Sequence, residues 1–266
     1  MTSATIEVTQ LEQVVATVHT AGARQAEALA ATGPVPSDWD GIRAALTRND
    51  QLAEDILRPR LQAVRPRANW AEEFETGPLG EGEWWVADTA DGNINAVHGL
   101  PEWTVAVSLV RDDTTLLTVV HAPLSGETYT ALRGGGAFRN GLPIHVSGKT
   151  DLAVAMAATA QAAPGRTERS DDEGRSIAAM YRNALVVRSG VPSTQHLARL
   201  STGQLDVFWL HGRDRSAAMA GALLVTEAGG VVTDITGGAW TPASDTFLAA
   251  APGVHAAAVT ALTPNH

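Results

Sequence analysis

The sequence predicts an α/β protein in which helices are layered on sheets in two joined halves. Three observations carry this reading. Apolar residues recur at helical spacing through the opening segment, and from Trp84 the pattern changes to short β-rich runs separated by Gly, Pro and Asp. After about Lys149, strands and helices alternate. With 266 residues, 44% of them hydrophobic and 18% charged, the chain can bury a large core. The change of pattern places the boundary between the halves at 149/150, giving segments 1–149 and 150–266 of one compact unit.

Leu11, Val14, Val15 and Val18 define the first amphipathic helix, which runs on to Ala31 and is broken by Gly33-Pro34-Val35-Pro36. A second helix is expected from Asn49 or Asp50, carrying Leu52, Ile56 and Leu57 and fading at Pro59 and Pro66. Strands are expected over 84–87, 104–110, 115–120 and 128–132. Gly134-Gly135-Gly136 and Asn140-Gly141 read as turns between strands. No GK[ST] and no helical pattern follows them, so they do not read as a phosphate loop. In the second half strands are expected over 153–159, 184–188, 205–210, 231–233 and 247–250. Helices are expected over 172–181, 193–201 and 216–228, the last stopped by Gly229-Gly230, with a final helix from Val254.

Composition removes several classes of function. A net charge of -10 argues against general nucleic-acid binding, which needs a basic surface to neutralise phosphates. The absence of cysteine excludes disulfides, thiolate nucleophiles and Cys-zinc sites. Lys149 is the only lysine, which disfavours Schiff-base and P-loop chemistry. The first residues show no basic cluster before an apolar run, and stretches such as 217–225 are too short to span a bilayer. A cytoplasmic protein without a membrane partner is the expectation.

The chemically informative segment is 85–99, W-V-A-D-T-A-D-G-N-I-N-A-V-H-G. It delivers Asp88 and Asp91 from a buried strand into a Gly turn. Two carboxylates three residues apart can converge at a strand end to hold a hard divalent cation. The same spacing also suits an Asx-type turn in which the aspartates bond local N–H groups.

This segment resembles the W-[IV]-[IV]-D-P-[IL]-D-G-T-x-N-[FY]-x-H signature of the inositol monophosphatase superfamily, which includes fructose bisphosphatases. Thr47-Arg48-Asn49-Asp50 resembles its T-x-x-D, and Ala71-Glu72-Glu73 its G-E-E. Residues 134–141 resemble its G-x-G-A-F-x-N-G turn, and residues 220–230 its A-G-A-x-x-x-x-E-A-G-G helix. The resemblance implies a layered αβαβα sandwich, Mg²⁺-dependent hydrolysis of a small phosphate monoester, and a homodimer. Carried over by position, Glu72, Asp88, the Ala90 carbonyl and Asp91 are the implied metal ligands. Glu72, Asp50 and Asn93 are the implied catalytic set. The substrate contacts fall on Asp91, Gly92, Asn93, Ser193, Thr194, Leu210, His211 and Asp214.

The pattern breaks in three places. The family's Thr after D-G is Asn93, whose amide orients a water but relays no proton as a hydroxyl does. Its late W-D falls on Ser216-Ala217, so one carboxylate of the second metal is missing. Asp214 stands three residues before Ala217, either as a helix cap or as a substitute ligand. The position that contacts sugar hydroxyls in inositol enzymes is Leu210, the family's G-[ST]-A-A reads Val191-Pro192-Ser193-Thr194, and Trp39 stands near the place of a lysine. Trp39, Trp103, Trp209 and His211 are candidates for a more apolar pocket. The expected function is a divergent phosphatase with one weakly bound Mg²⁺, acting on a small phosphorylated metabolite other than inositol phosphate. The alternatives are a non-hydrolytic enzyme reusing the pocket, and a non-catalytic binding protein.

Overall fold

A computed structural model describes residues 8–71, 79–161 and 167–263. Helix α1 (Val8–Ala30) buries Val14, Val18 and Ala21 on one face, as the periodicity predicts. Helix α2 (Trp39–Val64) starts well before Asn49, which corrects the sequence reading. Asp38, in extended conformation, caps it by accepting from the Gly41 N–H at 2.8 Å. Ala45, Asn49, Ala53, Leu57 and Leu61 then repeat at four-residue spacing along its buried face. Pro59 lies inside the helix, not at its end. It is exposed, so the lost N–H falls on the solvent side while Leu57 and Leu61 hold the packed side.

The first sheet is a meander in sequence order: β1 (Asn69–Ala71), β2 (Glu83–Asp91), β3 (Thr104–Arg111), β4 (Thr114–Ala122), β5 (Glu127–Leu132), β6 (Gly136–Arg139) and β7 (Leu142–Pro143). Only β1 runs parallel to its neighbour. A short helix α3 (Asn93–Val97) leaves the end of β2. Asn140 and Gly141 both have positive φ, the geometry of the tight turn read from Asn-Gly, here joining β6 to β7.

The second sheet has the order β11-β12-β10-β8-β9. Its strands are β8 (Met156–Thr159), β9 (Val186–Ser189), β10 (Val207–His211), β11 (Val231–Thr233) and β12 (Thr246–Ala250), with β8, β9 and β10 mutually parallel. Residues 152–154 form a 3-10 turn rather than the expected strand, because Asp151 accepts from the Ala153 N–H and turns the chain first. Helix α4 spans Thr167–Asn183, α5 Ser193–Ser201, α6 Arg215–Glu227 and α7 Pro252–Leu262.

Packing gives five layers. α1 and α2 cover one face of the first sheet, and α5 and α6 lie between the two sheets. α4 and α7 cover the far face of the second sheet. β3 shows why the middle layer exists: Val105, Val107 and Leu109 face α1 and α2, while Ala106 faces the α6 side. A sheet buried on both faces needs a helix layer on each. Contact within the middle layer is close, since a Cβ on Gly221 of α6 would sit 2.2 Å from Leu197 Cδ1 of α5. Among the described residues no helix is long and apolar enough to cross a membrane.

Candidate active site at the end of strand β2

Strand alternation sorts the site into two sides. Trp85 and Ala87 face the α1–α2 core, whereas Val86 faces the opposite cluster. Asp88 continues the Val86 side and Thr89 the Ala87 side. Accordingly Ser216 of α6 donates to Asp88 Oδ2 at 3.2 Å, while Thr89 donates to Asp50 of α2 at 2.9 Å. The register shifts between Asp88 and Asp91, a bulge that re-aims the second carboxylate. Gly92 then turns the chain at φ 80°, and a Cβ there would lie 2.9 Å from the Glu102 carbonyl oxygen.

On the α5–α6 side, Asp91 sits over the start of α5. Its Oδ2 accepts from both the N–H and the hydroxyl of Thr194, each at 2.6 Å. That commits the Thr194 proton, so the Thr104 hydroxyl donates to Thr194 Oγ1. Asp214 caps α6 by accepting from the Ala217 N–H at 3.2 Å, the capping role its position suggested. It also faces the site, within reach of Ser216 Oγ at 3.4 Å. Burial, followed by the Asp214 charge, pushes Asp91 up to about 7 against the hydrogen bonds from Thr194 and Ser193. Burial raises Asp214 as well. Two buried carboxylates of like charge hold at most one full negative charge comfortably unless a cation joins them.

On the α1–α2 side the chemistry is that of amides. Asn93 donates to the Leu46 carbonyl at 3.1 Å and to Asp50 Oδ1 at 2.7 Å, and accepts from Asn49 at 2.8 Å. Both of its protons are therefore committed within the protein. Gln25, fully buried, spans the Asn49 and Thr89 carbonyls with its own NH₂, each at 3.1 Å. Burial raises Asp50 to about 6, ahead of the opposing bonds from Thr89 and Asn93.

The sequence pattern of the Inositol monophosphatase family matches residues 8–266. The chain belongs to that family. An inositol-1-monophosphatase of Rhizobium meliloti is 35% identical over 197 residues, covering 73% of each chain. The fructose-1,6-bisphosphatase/inositol-1-monophosphatase of Thermotoga maritima is 32% identical over 200 residues, covering 74% of each. Among solved structures, a Thermotoga maritima IMPase superposes with a TM-score of 0.83 at 26% identity, covering 96% of this chain and 97% of that one. The αβαβα layering expected of the family is the layering found.

Not every residue carried over from the family gathers here. Asp88, Asp91, Ser193, Thr194 and Asp214 meet on one side, and Asp50 and Asn93 on the other. Leu210 does not reach them as an open surface: it is 1% exposed, packed with Phe208 and Phe247. His211 follows Trp209 onto the opposite face of β10, where it lines a cavity between α4 and α7. The aromatic pocket is not formed either. Trp39 is exposed beneath Arg43, Trp103 lines a cavity beside α1, and Trp209 is core with its N–H on Ser176. Glu72 and Glu73 lie outside the described residues.

Ser216 and Thr89, which touch Asp88 and Asp50, are not among the site residues that the sequence points to. The available signal was a hydroxyl one residue beyond Asp88 and another two residues beyond the capping Asp214. For a Mg²⁺ ion, Asp88, Asp91 and the Ala90 carbonyl are hard oxygen donors, and a cation would relieve the Asp91–Asp214 repulsion, so the donor chemistry fits. Among the described residues, however, no group of three or more His, Asp or Glu is arranged to hold a metal ion.

Proposed function

We propose that this family member is a phosphoric monoester hydrolase acting on a small phosphorylated metabolite other than inositol phosphate. The observation that carries this is the buried Asp91–Asp214 pair, set with Asp88 between the starts of α5 and α6. Keeping acidic groups this close costs stability, and the cost makes sense where a cation and a phosphate are to be held. In the reaction, water attacks phosphorus, the ester P–O bond breaks, and the departing oxygen takes a proton from solvent water. A bound Mg²⁺ would polarise the phosphate and acidify the attacking water, with Asp88, Asp91 and the Ala90 carbonyl as its holders. Asp50, still mostly ionised at neutral pH, would orient the attacking water and could take its proton at the strand end, and Thr89 fixes the orientation of the Asp50 carboxylate. Asp91, pinned by Thr194, fixes the start of α5 beside the phosphate. Leu210, apolar and enclosed, offers nothing to a polyol hydroxyl, which argues for a substrate other than inositol phosphate.

A second reading, a non-catalytic binding protein, is favoured by one observation. Asn93 stands where the family places a hydroxyl, and its amide protons are both spent on Leu46 and Asp50. Phosphate release from p-nitrophenyl phosphate, fructose 1,6-bisphosphate and inositol 1-phosphate, with Mg²⁺ titrated, separates the two. Hydrolysis of either of the first two substrates, faster than of inositol 1-phosphate, is expected. Absence of release from all three by folded protein favours the binding reading. Turnover of inositol 1-phosphate at roughly 1 per second or more would overturn the substrate assignment.

A further inference from the structure

A cavity of about 610 Å³ opens between the end of α1, the turn at 33–36, α2 and the segment after α3. Its walls are mainly apolar, with Leu29, Leu52, Leu100 and Trp103 among them. Asp50, Asp88 and Asp91 do not line it, so it is separate from the carboxylate site. Its volume falls in the range of small-molecule sites, which combine apolar walls with a few placed polar groups. The charged side chain among those polar groups is a cation, Arg48. The lining holds Arg48 and His98 and neither an aspartate nor a glutamate, in a chain of net charge -10. Arg48 is exposed and makes no hydrogen bond or ion pair with the described residues. His98 gives its Nδ1 to the Ile94 carbonyl at 2.8 Å, which leaves Nε2 to interact elsewhere.

We propose that this cavity binds a small amphiphilic carboxylate, its anionic head paired with Arg48 at the rim and its apolar body against Leu52, Leu100 and Trp103. A guanidinium matches a carboxylate bidentately, and a cationic or neutral head of the same shape forgoes that pair. The site does not depend on the phosphatase reading, since none of its residues takes part in the chemistry proposed there.

Calorimetric titration of the intact protein with octanoate, octanol and octylamine tests it. Octanoate binds tightest and octylamine weakest in the natural protein. Arg48→Glu weakens octanoate by about tenfold or more and reverses its order with octylamine. Arg43→Glu, on the same helix but outside the lining, leaves all three unchanged. Circular dichroism confirms that both variants are folded, as expected for exposed positions. Equal affinity for octanoate and octylamine, or equal effects of the two arginine changes, overturns the proposal. So does failure of octanoate to bind, including the case in which a second copy of the chain covers the rim.

Discussion

At the end of β2 the two faces of one strand carry opposite kinds of polar chemistry. Toward α5 and α6, Asp88, Asp91 and Asp214 bring together more negative charge than the hydrogen bonds of Thr194, Ser193 and Ser216 offset. Toward α1 and α2, Gln25, Asn49 and Asn93 spend amide protons on carbonyls and on Asp50, while the Gln25 and Asn49 side-chain oxygens are left without donors. The first face stores repulsion that a cation can relieve. The second holds geometry and has few N–H donors left to offer a substrate. The hydrolysis proposed above needs both faces: a place for the phosphate, and a group to receive a proton.

The comparison can be broken most directly at Asp91. Asp91→Asn keeps an oxygen for Thr194 and removes the clash with Asp214. Phosphate release should fall by about 100-fold or more, while the melting temperature rises by a few degrees. A loss of both activity and stability would mean that the acidic face is structural. Ala217→Asp pushes the same face the other way. Ala217 is fully buried and its N–H already serves Asp214, so a further carboxylate there should cost about 2 kcal/mol or more in metal-free protein. Added Mg²⁺ should recover much of that loss in thermal unfolding. No recovery would argue against a cation at this face.

The amide face is sharpened by Asn93→Ala. It strips Asp50 of one donor and leaves Asn49 Nδ2 and the Leu46 carbonyl without their partner, at a cost of about 2 kcal/mol in denaturant unfolding. A change under about 0.5 kcal/mol would show that water replaces the network freely. Asp214→Asn should move stability by less than about 1 kcal/mol, because asparagine also caps helices and the repulsion is relieved.

The smallest effect is read from pH. Each side carries a buried neutral imidazole: His121 beside α1 and His196 in α5, both pushed down to about 4, chiefly by burial. Their folded values lie below the ordinary 6.5, so the unfolded chain binds protons first as pH falls. The stability they contribute is complete above about 6.5 and is lost between there and about 4. His121→Gln and His196→Gln should each flatten that acid limb by at most about 1.4 kcal/mol per pH unit. An unchanged limb in both would assign it to other groups.

Much of the fold was legible because its signals are local. The helix 193–201 and the strand 231–233 appear with the limits read from pattern, and Asn140-Gly141 forms the turn its residue types require. The errors also have local causes. Thr47-Arg48-Asn49-Asp50 places the start of α2 too late, whereas Asp38 supplies the cap. Pro59 reads as a fading end because sequence does not show which side of a helix faces solvent.

The sequence by itself determined the layered α/β class, the strand carrying Asp88 and Asp91, the glycine turn after them, and the absence of a carboxylate at Ala217. These rest on periodicity, turn chemistry and identity at a position, all properties of neighbouring residues. Only the tertiary structure decided which carboxylates share a face. Asp91 and Asp214 are far apart in the chain and meet because α5 and α6 pack together between two sheets, where Gly221 lets Leu197 approach. It also parted Leu210 from His211, since adjacent residues of a buried strand must point to opposite sides. Long-range packing fixes such pairings, and no local pattern encodes them.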